Sequence, residues 1–323
     1  MAAFLDVAIH TSPLVTYSDT ADFIFTRVIA RVAVPFFFMV TGYFVLSKGT
    51  DIRRFLKKTA MIYAASAALY LPINVYAGHL QGWGMLDLVQ QVLFEGTFYH
   101  LWYLPAAILG AWLTALLIRK WSRGTCFAVV GVLYILGLLG DSYWGLISGI
   151  PVVSSVYNAI FAVMGYTRNG LFFAPMFMLL GASLKDVKPR STAVDALGLA
   201  LSFALMLAEA LLARAHGWQR HDSMYVMLPV VMYFLFALLA RYKGTVRLPL
   251  GNFSLLVYII HPAVIIVVRG AARVLGLWDI FVENSLGHYI AVCLCSAAAS
   301  AVLLWIWSFI KPQKVSYTSR AWV

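Results

Sequence analysis

The sequence has few charged residues for its length. Asp, Glu, Lys and Arg make up 11% of its 323 residues, whereas 62% are hydrophobic, and the mean hydropathy is +0.85. In an ordinary soluble domain about a quarter of the residues are charged. These values exclude a soluble globular protein and indicate a chain that lies in a membrane along most of its length.

Cysteine is also scarce. The three cysteines, Cys126, Cys293 and Cys295, lie in apolar segments and show no Cys-X-X-Cys spacing. This pattern argues against a disulfide framework and against the usual zinc motifs. His216 and His221 have no ligand spacing either, so the sequence predicts no metal site.

Nucleic-acid motifs are absent too. The net charge of +11 is accompanied by no basic helix and no RNA-binding motif. We therefore expect no nucleic-acid partner, and we interpret the excess of Lys and Arg as a signal of membrane topology and an attraction to anionic lipid.

Apolar segments are what the chain has in abundance. A segment of about 20 apolar residues crosses a hydrocarbon core of roughly 30 Å. The segment 151–165 begins with proline and contains polar residues, so we interpret it as re-entrant or interfacial. The other segments predict an all-α integral membrane protein with ten transmembrane helices, at residues 1–15, 28–47, 56–77, 99–119, 125–143, 169–184, 193–214, 223–241, 252–270 and 287–310.

The distribution of basic residues predicts the orientation. Most Lys and Arg residues lie in alternate connections, and most acidic residues lie in the others. By the positive-inside rule, the basic connections and both termini are cytoplasmic. The lipid bilayer is therefore an expected partner along the whole chain.

The two ends of the chain look incomplete. Pro13 stops the first apolar segment after about 13 residues, where about 20 are needed, and no basic residue precedes it. We therefore expect the first helix to lack its N-terminal part. Residues 311–323 resemble a polar linker that leads into the first strand of a further domain.

Asp6 and His10 are the first candidates for chemistry. They are four residues apart in a helical pattern and therefore share one face, where the carboxylate can orient the imidazole and raise its basicity. A general base with an orienting acid has this arrangement, so we predict that both residues are catalytic. The alternative is a pair that only neutralises itself inside a helix bundle.

Further polar residues form a predicted substrate-binding set. Arg27 and Arg31 are four residues apart and offer an anion clamp, with interfacial snorkelling as the alternative, mainly for Arg27. Ionisable groups inside a membrane are functional candidates by default, although aromatic belts and packed histidines are common alternatives. The predicted substrate-binding residues are Arg31, Glu95, His100, Arg168, Asn169, His221, Asp222, Tyr258 and His261.

The sequence resembles the acyltransferase-3 superfamily over nearly its whole length. The resemblance is carried, in order, by "AIHTSPL", "ARVAVPFFFMVTGYFV", "YHLWYLPA", "RNGLFFAPMFMLLG" and "SLLVYIIHPAVI". His10 matches the histidine of a family motif whose arginine would precede Met1. Thr41 stands where serine is more usual, and Asp6 is not part of the family pattern.

One branch of the family is more similar still. "TRNGLFFAP", "HDSMYV" and "LYLPINVYAGHL" resemble the membrane half of the serine racemases associated with vancomycin resistance. This resemblance implies a bacterial plasma-membrane protein in which residues 1–310 form an acyltransferase-3-like domain. It also implies that residues 311–323 lead into an alanine-racemase-like domain, which would hold pyridoxal phosphate.

Two functions follow from the resemblance. In the racemase branch, the membrane domain would bind or translocate L-serine for the covalently linked racemase, whose D-serine enters peptidoglycan precursors in glycopeptide resistance. In acyltransferases generally, acetyl-CoA would donate an acyl group to an extracytoplasmic hydroxyl acceptor, with His10 as the base and Arg31 holding a phosphate or an oxyanion. We expect no cofactor within residues 1–310, other than acetyl-CoA in the second case.

Overall fold

The computed structural model describes residues 1–47, 51–188, 190–242 and 250–310, and every regular element among them is helical. The predicted linker at 311–323 lies outside these ranges. Fourteen α-helices occur in the described residues: α1 Ala2–Thr11, α2 Asp19–Phe23, α3 Ala33–Thr41, α4 Ile52–Tyr76, α5 Met85–Gln90, α6 Tyr103–Lys120, α7 Arg123–Leu139, α8 Trp144–Ile147, α9 Pro151–Met164, α10 Ala174–Leu184, α11 Thr192–Ala215, α12 Leu228–Leu239, α13 Leu250–Val274 and α14 Ser285–Ile310.

Several helices continue into wider turns with π-helical hydrogen bonding. These turns are Ile24–Ile29, Gly42–Leu46, Gln91–Glu95 and Asp279–Glu283. A π-helical turn holds more residues than an α-helical one and is often found at functional sites. One of them, Gln91–Glu95, ends on a predicted substrate-binding residue.

Five helices in the described part of the chain are long and apolar enough to cross a membrane. They are Asp19–Leu46, Tyr103–Lys120, Thr192–Ala215, Leu250–Val274 and Ser285–Phe309. Shorter apolar helices, such as α1 and α10, occur beside them. The predicted all-helical class is therefore confirmed, whereas the number of ten spans and the orientation stay predictions.

The segment 151–165 contains a regular helix. α9 begins at Pro151, which suits the first turn because its missing N–H has no helical acceptor there. It ends at Met164, before Gly165, which has a positive φ of 66°. Its 14 residues fall short of the roughly 20 that a spanning helix needs.

The chain folds into two compact units. The first unit comprises Met1–Val34 and Leu239–Val323, and the second unit comprises Pro35–Leu238. In the first unit, α1 packs against both α13 and α14, which also pack against each other. Small and branched apolar side chains are fully buried there, including Val7, Ala8, Val257 and Val292.

Glycine allows the closest helix packing in the second unit. α10 packs against α6, α7 and the turn Gly42–Leu46. A Cβ atom on Gly181 would meet the backbone carbonyl of Met39, and one on Gly42 would meet the carbonyl of Met178. Small residues at such contacts let helix backbones approach each other, which is a main source of helix association in membranes.

Aromatic rings fill the centre of the second unit. Phe173 lies within 4.9 Å of Phe177 and 6.1 Å of Phe38, measured between ring centroids, and Tyr103 lies 5.0 Å from Phe38. Such pairs contribute about 0.5–1.5 kcal/mol each beyond the burial of their area. These rings join α3, α6 and α10.

A continuous apolar stripe is exposed along α11. Its leucines recur at intervals of about one or two helical turns on one face: Leu197, Leu201, Leu205 and Leu212. A large exposed apolar surface on a folded chain marks contact with another apolar phase. This is the surface expected of a helix that faces lipid.

Candidate functional site

Asp6 and His10 meet a third polar residue, His261, in the first unit. One ligand atom from each of the three side chains lies within 4.8 Å of the others. The imidazole rings of His10 and His261 stack with their centroids 5.4 Å apart. The carboxylate of Asp6 and the ring of His261 are both buried. We call these three residues the His-Asp cluster.

Pro262 explains how the ring of His261 is held. Proline has no N–H, so the helical donor to the carbonyl four residues earlier, that of Tyr258, is missing. Nδ1 of His261 lies 2.9 Å from this carbonyl oxygen and 3.2 Å from that of Val257. Because both partners are acceptors, Nδ1 must carry the proton, and the other ring nitrogen, Nε2, is an acceptor.

Nε2 of His261 is directed towards Asp6. It lies 3.9 Å from Oδ2 of the carboxylate, beyond hydrogen-bond distance. The ring of Tyr258, a predicted substrate-binding residue, lies 6.4 Å from that of His261. Tyr258 contributes its backbone carbonyl to the support of His261.

The end of α1 is fixed immediately after His10. Ser12 adopts a left-handed conformation with φ of 47°, and its N–H donates to the carbonyl of Ala8. The hydroxyl of Ser285 donates to the carbonyl of Pro13 over 2.8 Å. A non-glycine residue at positive φ is uncommon and often marks a functional site.

Arg31 belongs to the same unit as the His-Asp cluster. It lies in a short 3₁₀ turn, Ala30–Val32, that packs against α1. Its side chain is half-buried, and its Nε atom is buried. A guanidinium at this depth is a functional candidate rather than a surface charge.

A cavity of about 360 Å³ lies in the second unit. This volume is within the range of roughly 300–1,000 Å³ that is usual for small-molecule sites. We call it the aromatic cavity because half of its lining residues are aromatic: Trp83, Phe94, Phe98, Tyr99, Trp102 and Tyr166. The other lining residues are polar: Asn74, His79, Gln91, Glu95, Thr97 and Arg168.

Glu95 is held in place by two amide side chains. Nε2 of Gln90 donates to its Oε1 over 2.9 Å, and Nε2 of Gln91 donates to its Oε2 over 2.7 Å. A carboxylate can accept about four hydrogen bonds, so each oxygen keeps capacity for a ligand. The π-helical turn Gln91–Glu95 places this carboxylate on the cavity wall.

Arg168 is held by aromatic rings. Its guanidinium carbon lies 4.6 Å from the ring centroid of Trp102 and 4.8 Å from that of Tyr166. Cation–π contacts of this kind contribute about 0.5–2 kcal/mol each. The aromatic cavity therefore has one fixed anion and one fixed guanidinium among its lining residues.

Asn169, although next to Arg168, has a structural role in the turn before α10. Its Oδ1 accepts hydrogen bonds from the N–H groups of Leu171 and Phe172, and its Nδ2 donates to the carbonyl of Tyr166. Asparagine commonly stabilises turns in this way. These bonds use most of the amide's capacity and leave little for the predicted substrate contact.

His100 and His221 lie in different surroundings. The buried ring of His100 packs against Tyr70, Phe98 and Tyr99, with centroid distances of 5.0 to 5.7 Å. His221 is half-buried, and its Nδ1 lies 2.7 Å from the hydroxyl oxygen of Ser223. Neither histidine lines the aromatic cavity in the part of the chain that the structure describes.

The loop that contains His221 and the half-buried Asp222 is organised by Asp141. Oδ1 of Asp141 accepts hydrogen bonds from the hydroxyl of Ser142 and from the N–H groups of Ser223 and Met224. Its Oδ2 lies 3.6 Å from Nδ1 of His221. Asp141 is not among the predicted site residues, because in a sequence a carboxylate near a helix end looks like an exposed residue.

Glu209 likewise anchors a loop. Its Oε1 accepts from the hydroxyl of Tyr143 over 2.7 Å and from the N–H of Val226, and its Oε2 accepts from the N–H of Met227. A half-buried acid with this set of donors is a structural crosslink between α11 and two loops.

Sequence reasoning missed Gln90 and Gln91, the two residues that hold the carboxylate of Glu95. The spacing of four between Gln91 and Glu95 is a helical contact distance and was the available signal. Glutamine is common on exposed helix faces, so the spacing alone did not distinguish a support for Glu95 from a solvated side chain.

A further cavity of about 340 Å³ lies elsewhere in the second unit. Its lining includes Ser47, Trp121 and Cys126, and an ion pair joins Arg123 and Asp186 at its edge. Both side chains of this pair are more than half exposed. Such a pair contributes little stability.

Comparisons with known proteins identify the relatives of the chain. Residues 1–305 match the model of a protein family described as Acyltransferase domain. An amino-acid racemase of Enterococcus faecalis is 41% identical over 326 residues, which cover 99% of this chain and 46% of the relative. A serine/alanine racemase of Enterococcus gallinarum is 36% identical over 310 residues, which cover 91% and 43%. The chain thus spans less than half the length of these relatives, and no solved structure matches it.

Proposed function

This chain belongs to the acyltransferase-3 family, and we propose that it is the membrane domain of a racemase and binds L-serine for supply to a linked racemase domain. It is a multi-pass membrane protein, and its bacterial relatives indicate the plasma membrane. Two observations support the proposal: the relatives are named as racemases of amino acids or of serine and alanine, and the aromatic cavity offers partners for an amino acid.

The observation that carries the proposal is the presence of Glu95 and Arg168 in one cavity. L-serine is a zwitterion at neutral pH, so its site must supply an acceptor for the ammonium group and a donor for the carboxylate. Glu95 is suited to accept from the ammonium group, and Arg168 is suited to donate two parallel hydrogen bonds to the carboxylate. Asn74 and Gln91 offer polar groups for the hydroxyl.

The surroundings of the two charges favour binding. The aromatic walls lower the local dielectric constant, which strengthens each charge–charge contact with a ligand. Both charges are held before any ligand arrives, Glu95 by Gln90 and Gln91 and Arg168 by its two rings. Preorganisation of this kind reduces the entropy cost of binding.

The test is binding of labelled L-serine to the purified chain in detergent. Loss of a charged hydrogen bond weakens binding by about 1.5–3 kcal/mol, so Arg168→Gln and Glu95→Gln are each expected to lower the affinity by roughly 10- to 100-fold. Arg190→Gln is the matched control, since Arg190 also stacks on aromatic rings, of Tyr233 and Phe234, but does not line the cavity.

Ligand analogues separate the roles of the two charges. Glycerate lacks the ammonium group, so its binding should be insensitive to Glu95→Gln. Ethanolamine lacks the carboxylate, so its binding should be insensitive to Arg168→Gln. Equal loss of both analogues in both variants would show a general collapse of the cavity and would contradict the assignment.

Transport is tested separately in proteoliposomes. Uptake of labelled L-serine should be saturable and should be lost in Arg168→Gln, with Arg190→Gln retaining it. Binding without uptake would limit the proposed function to capture of the amino acid, and absence of both would overturn it.

A second candidate function is acyl transfer, which the His-Asp cluster favours. His10 would remove the proton from an acceptor hydroxyl as its oxygen attacks the thioester carbon of acetyl-CoA. The C–S bond then breaks, and the proton passes to the coenzyme A thiolate as it leaves. Release of coenzyme A that needs a sugar acceptor and is abolished by His10→Ala would support this function over serine supply.

A further inference from the structure

We propose that the His-Asp cluster is a binding site for a divalent transition-metal ion such as Zn²⁺. This inference goes beyond serine supply and uses residues of the first unit only, whereas the aromatic cavity lies in the second. It is carried by the convergence of Asp6, His10 and His261, whose ligand atoms all lie within 4.8 Å of one another.

The ligand types select a class of metal. Two imidazole nitrogens and one carboxylate oxygen suit Zn²⁺ and other first-row transition metals, and they occur together in many catalytic zinc sites. Mg²⁺ and Ca²⁺ prefer sites made only of oxygen atoms. Three protein ligands leave a fourth position of a tetrahedral ion for water or a small ligand.

The ring of His261 is held by the kind of hydrogen bond that is usual for a metal-binding histidine. A histidine that binds a metal usually donates its other ring N–H to a carbonyl or carboxylate, which fixes the tautomer and the ring orientation. Nδ1 of His261 makes this bond to the carbonyl of Tyr258, which Pro262 has left without a helical donor. The acceptor nitrogen Nε2 is thereby directed towards Asp6.

Charge also favours a cation at this place. The side chain of Asp6 is 6% exposed and that of His261 is fully buried. A divalent cation bonded to the carboxylate and to both imidazoles is held strongly in a buried site, because solvent screens the attraction between charges little there.

The distances require only a small closure of the site. Bonds of about 2.0–2.2 Å place two ligand atoms of a tetrahedral zinc ion roughly 3.4 Å apart. The separation between Asp6 Oδ2 and His261 Nε2 is 3.9 Å, and no two ligand atoms of the cluster are more than 4.8 Å apart. His10 lies in the last turn of α1 and is only half-buried, so rotation of its side chain can close the gap.

The metal site is an alternative to the use of His10 as a general base. A ring nitrogen that binds zinc is not available to take a proton from an acceptor hydroxyl. A measurement of zinc binding therefore distinguishes His10 as a metal ligand from His10 as a general base, and no activity needs to be measured.

The experiment is a zinc titration of the purified chain in detergent, after removal of metal with a chelator and with an affinity tag that contains no histidine. A chromogenic competitor reports the affinity, and elemental analysis reports the stoichiometry. We expect one tight zinc per chain in the wild type. Co²⁺ in place of zinc should give the visible absorption bands of a tetrahedral site with nitrogen and oxygen ligands.

The variants are chosen so that a folding defect is not mistaken for loss of a ligand. Changes in supporting residues of metal sites cost about 10- to 100-fold in affinity, so loss of a direct ligand in Asp6→Asn or His10→Gln should cost at least about 100-fold. His288→Gln is the matched control, because His288 is buried in the same unit and its Nδ1 also bonds a backbone carbonyl, that of Phe281.

Two results would overturn the proposal. One is that the wild-type chain binds zinc no more tightly than the Asp6→Asn variant, when both proteins elute alike in size-exclusion chromatography. The other is an equal loss of affinity in His288→Gln, which would place the zinc elsewhere or show that the loss reflects unfolding.

Discussion

Gly165 leaves the space that the carboxylate of Glu95 occupies. A Cβ atom at residue 165 would overlap Oε1 of Glu95, and Gly165 also has a φ of 66°, which disfavours any other residue. The end of α9 and the position of Glu95 on the wall of the aromatic cavity thus both depend on a glycine at residue 165.

Gly165→Ala should therefore displace Glu95 and weaken L-serine binding by about tenfold or more, the amount expected from the loss of one charged contact. The measurement is the affinity for labelled L-serine beside the thermal unfolding midpoint. Gly217→Ala is the matched control, since Gly217 has a φ of 63° and open space around its Cβ position. It should lose about 1–2 kcal/mol of stability from the strained backbone and keep its affinity.

The contact between Gly181 and Met39 predicts a large effect on stability. Gly181→Ala places a methyl group against the backbone carbonyl of Met39, so the helices must separate, and we expect a loss of about 2–3 kcal/mol. Gly131→Ala, in α7 with nothing near its Cβ position, should gain up to about 1 kcal/mol from helix propensity. Heating in detergent followed by size-exclusion chromatography compares the two. Equal midpoints would contradict the close packing.

The hydrogen bonds of Asp141 predict that it stabilises the loop at residues 220–224. Asp141→Ala leaves the buried N–H groups of Ser223 and Met224 without their acceptor and should cost about 3 kcal/mol. Asp141→Asn keeps an acceptor oxygen and should cost less. Asp87→Ala removes an exposed carboxylate that accepts from the N–H of Gly84, and should cost about 1 kcal/mol or less. A similar cost for Asp141→Ala and Asp87→Ala would argue against this role.

The missing helical hydrogen bond at Pro262 predicts a change in zinc affinity. Pro262→Ala returns a backbone N–H to the carbonyl of Tyr258, which then no longer depends on His261 for its donor. The ring loses orientation, and we expect zinc binding to weaken by about tenfold. Pro72→Ala is the control, because Pro72 likewise lies inside a helix, but one of the second unit. Unchanged zinc affinity in both variants would show that the backbone bond does not orient the ring.

The predicted orientation is tested by labelling single cysteines in a variant without Cys126, Cys293 and Cys295. A cysteine at Gly82, in the loop beside the aromatic cavity, should react with an impermeant thiol reagent in intact cells. A cysteine at Arg123 should react only after the cells are opened. The reverse pattern would place the aromatic cavity on the cytoplasmic side and contradict the positive-inside assignment.

The helical class could be predicted from the sequence because the chain contains many apolar segments of about 20 residues, the length that a helix needs to cross a membrane. Helix ends were predicted less well. The predicted span 56–77 corresponds to α4 at Ile52–Tyr76, which begins among basic residues where Asp51 caps the helix. Capping depends on one side chain and one N–H, which a hydrophobicity pattern does not contain.

Only the local half of each candidate site could be predicted. Asp6 and His10 share a helical face, so their pairing follows from spacing alone, whereas His261 lies near the other end of the chain and joins them only through the packing of α1 against α13. Glu95 and Arg168 meet for the same reason, through packing within the second unit. For Asn169 the substrate contact stays a prediction, because a turn amide and a ligand amide look alike in a sequence.

The π-helical turn at Gln91–Glu95 makes the cavity wall sensitive to chain length as well as to residue type. A π-helical turn accommodates one residue more than an α-helical turn. Deletion of one residue in this stretch would restore an α-helical turn and would rotate the side chains that follow by about 100° about the helix axis. Glu95 would then leave the wall although every neighbouring side chain was kept, so relatives that retain this acid but differ in length here are expected to have lost its function.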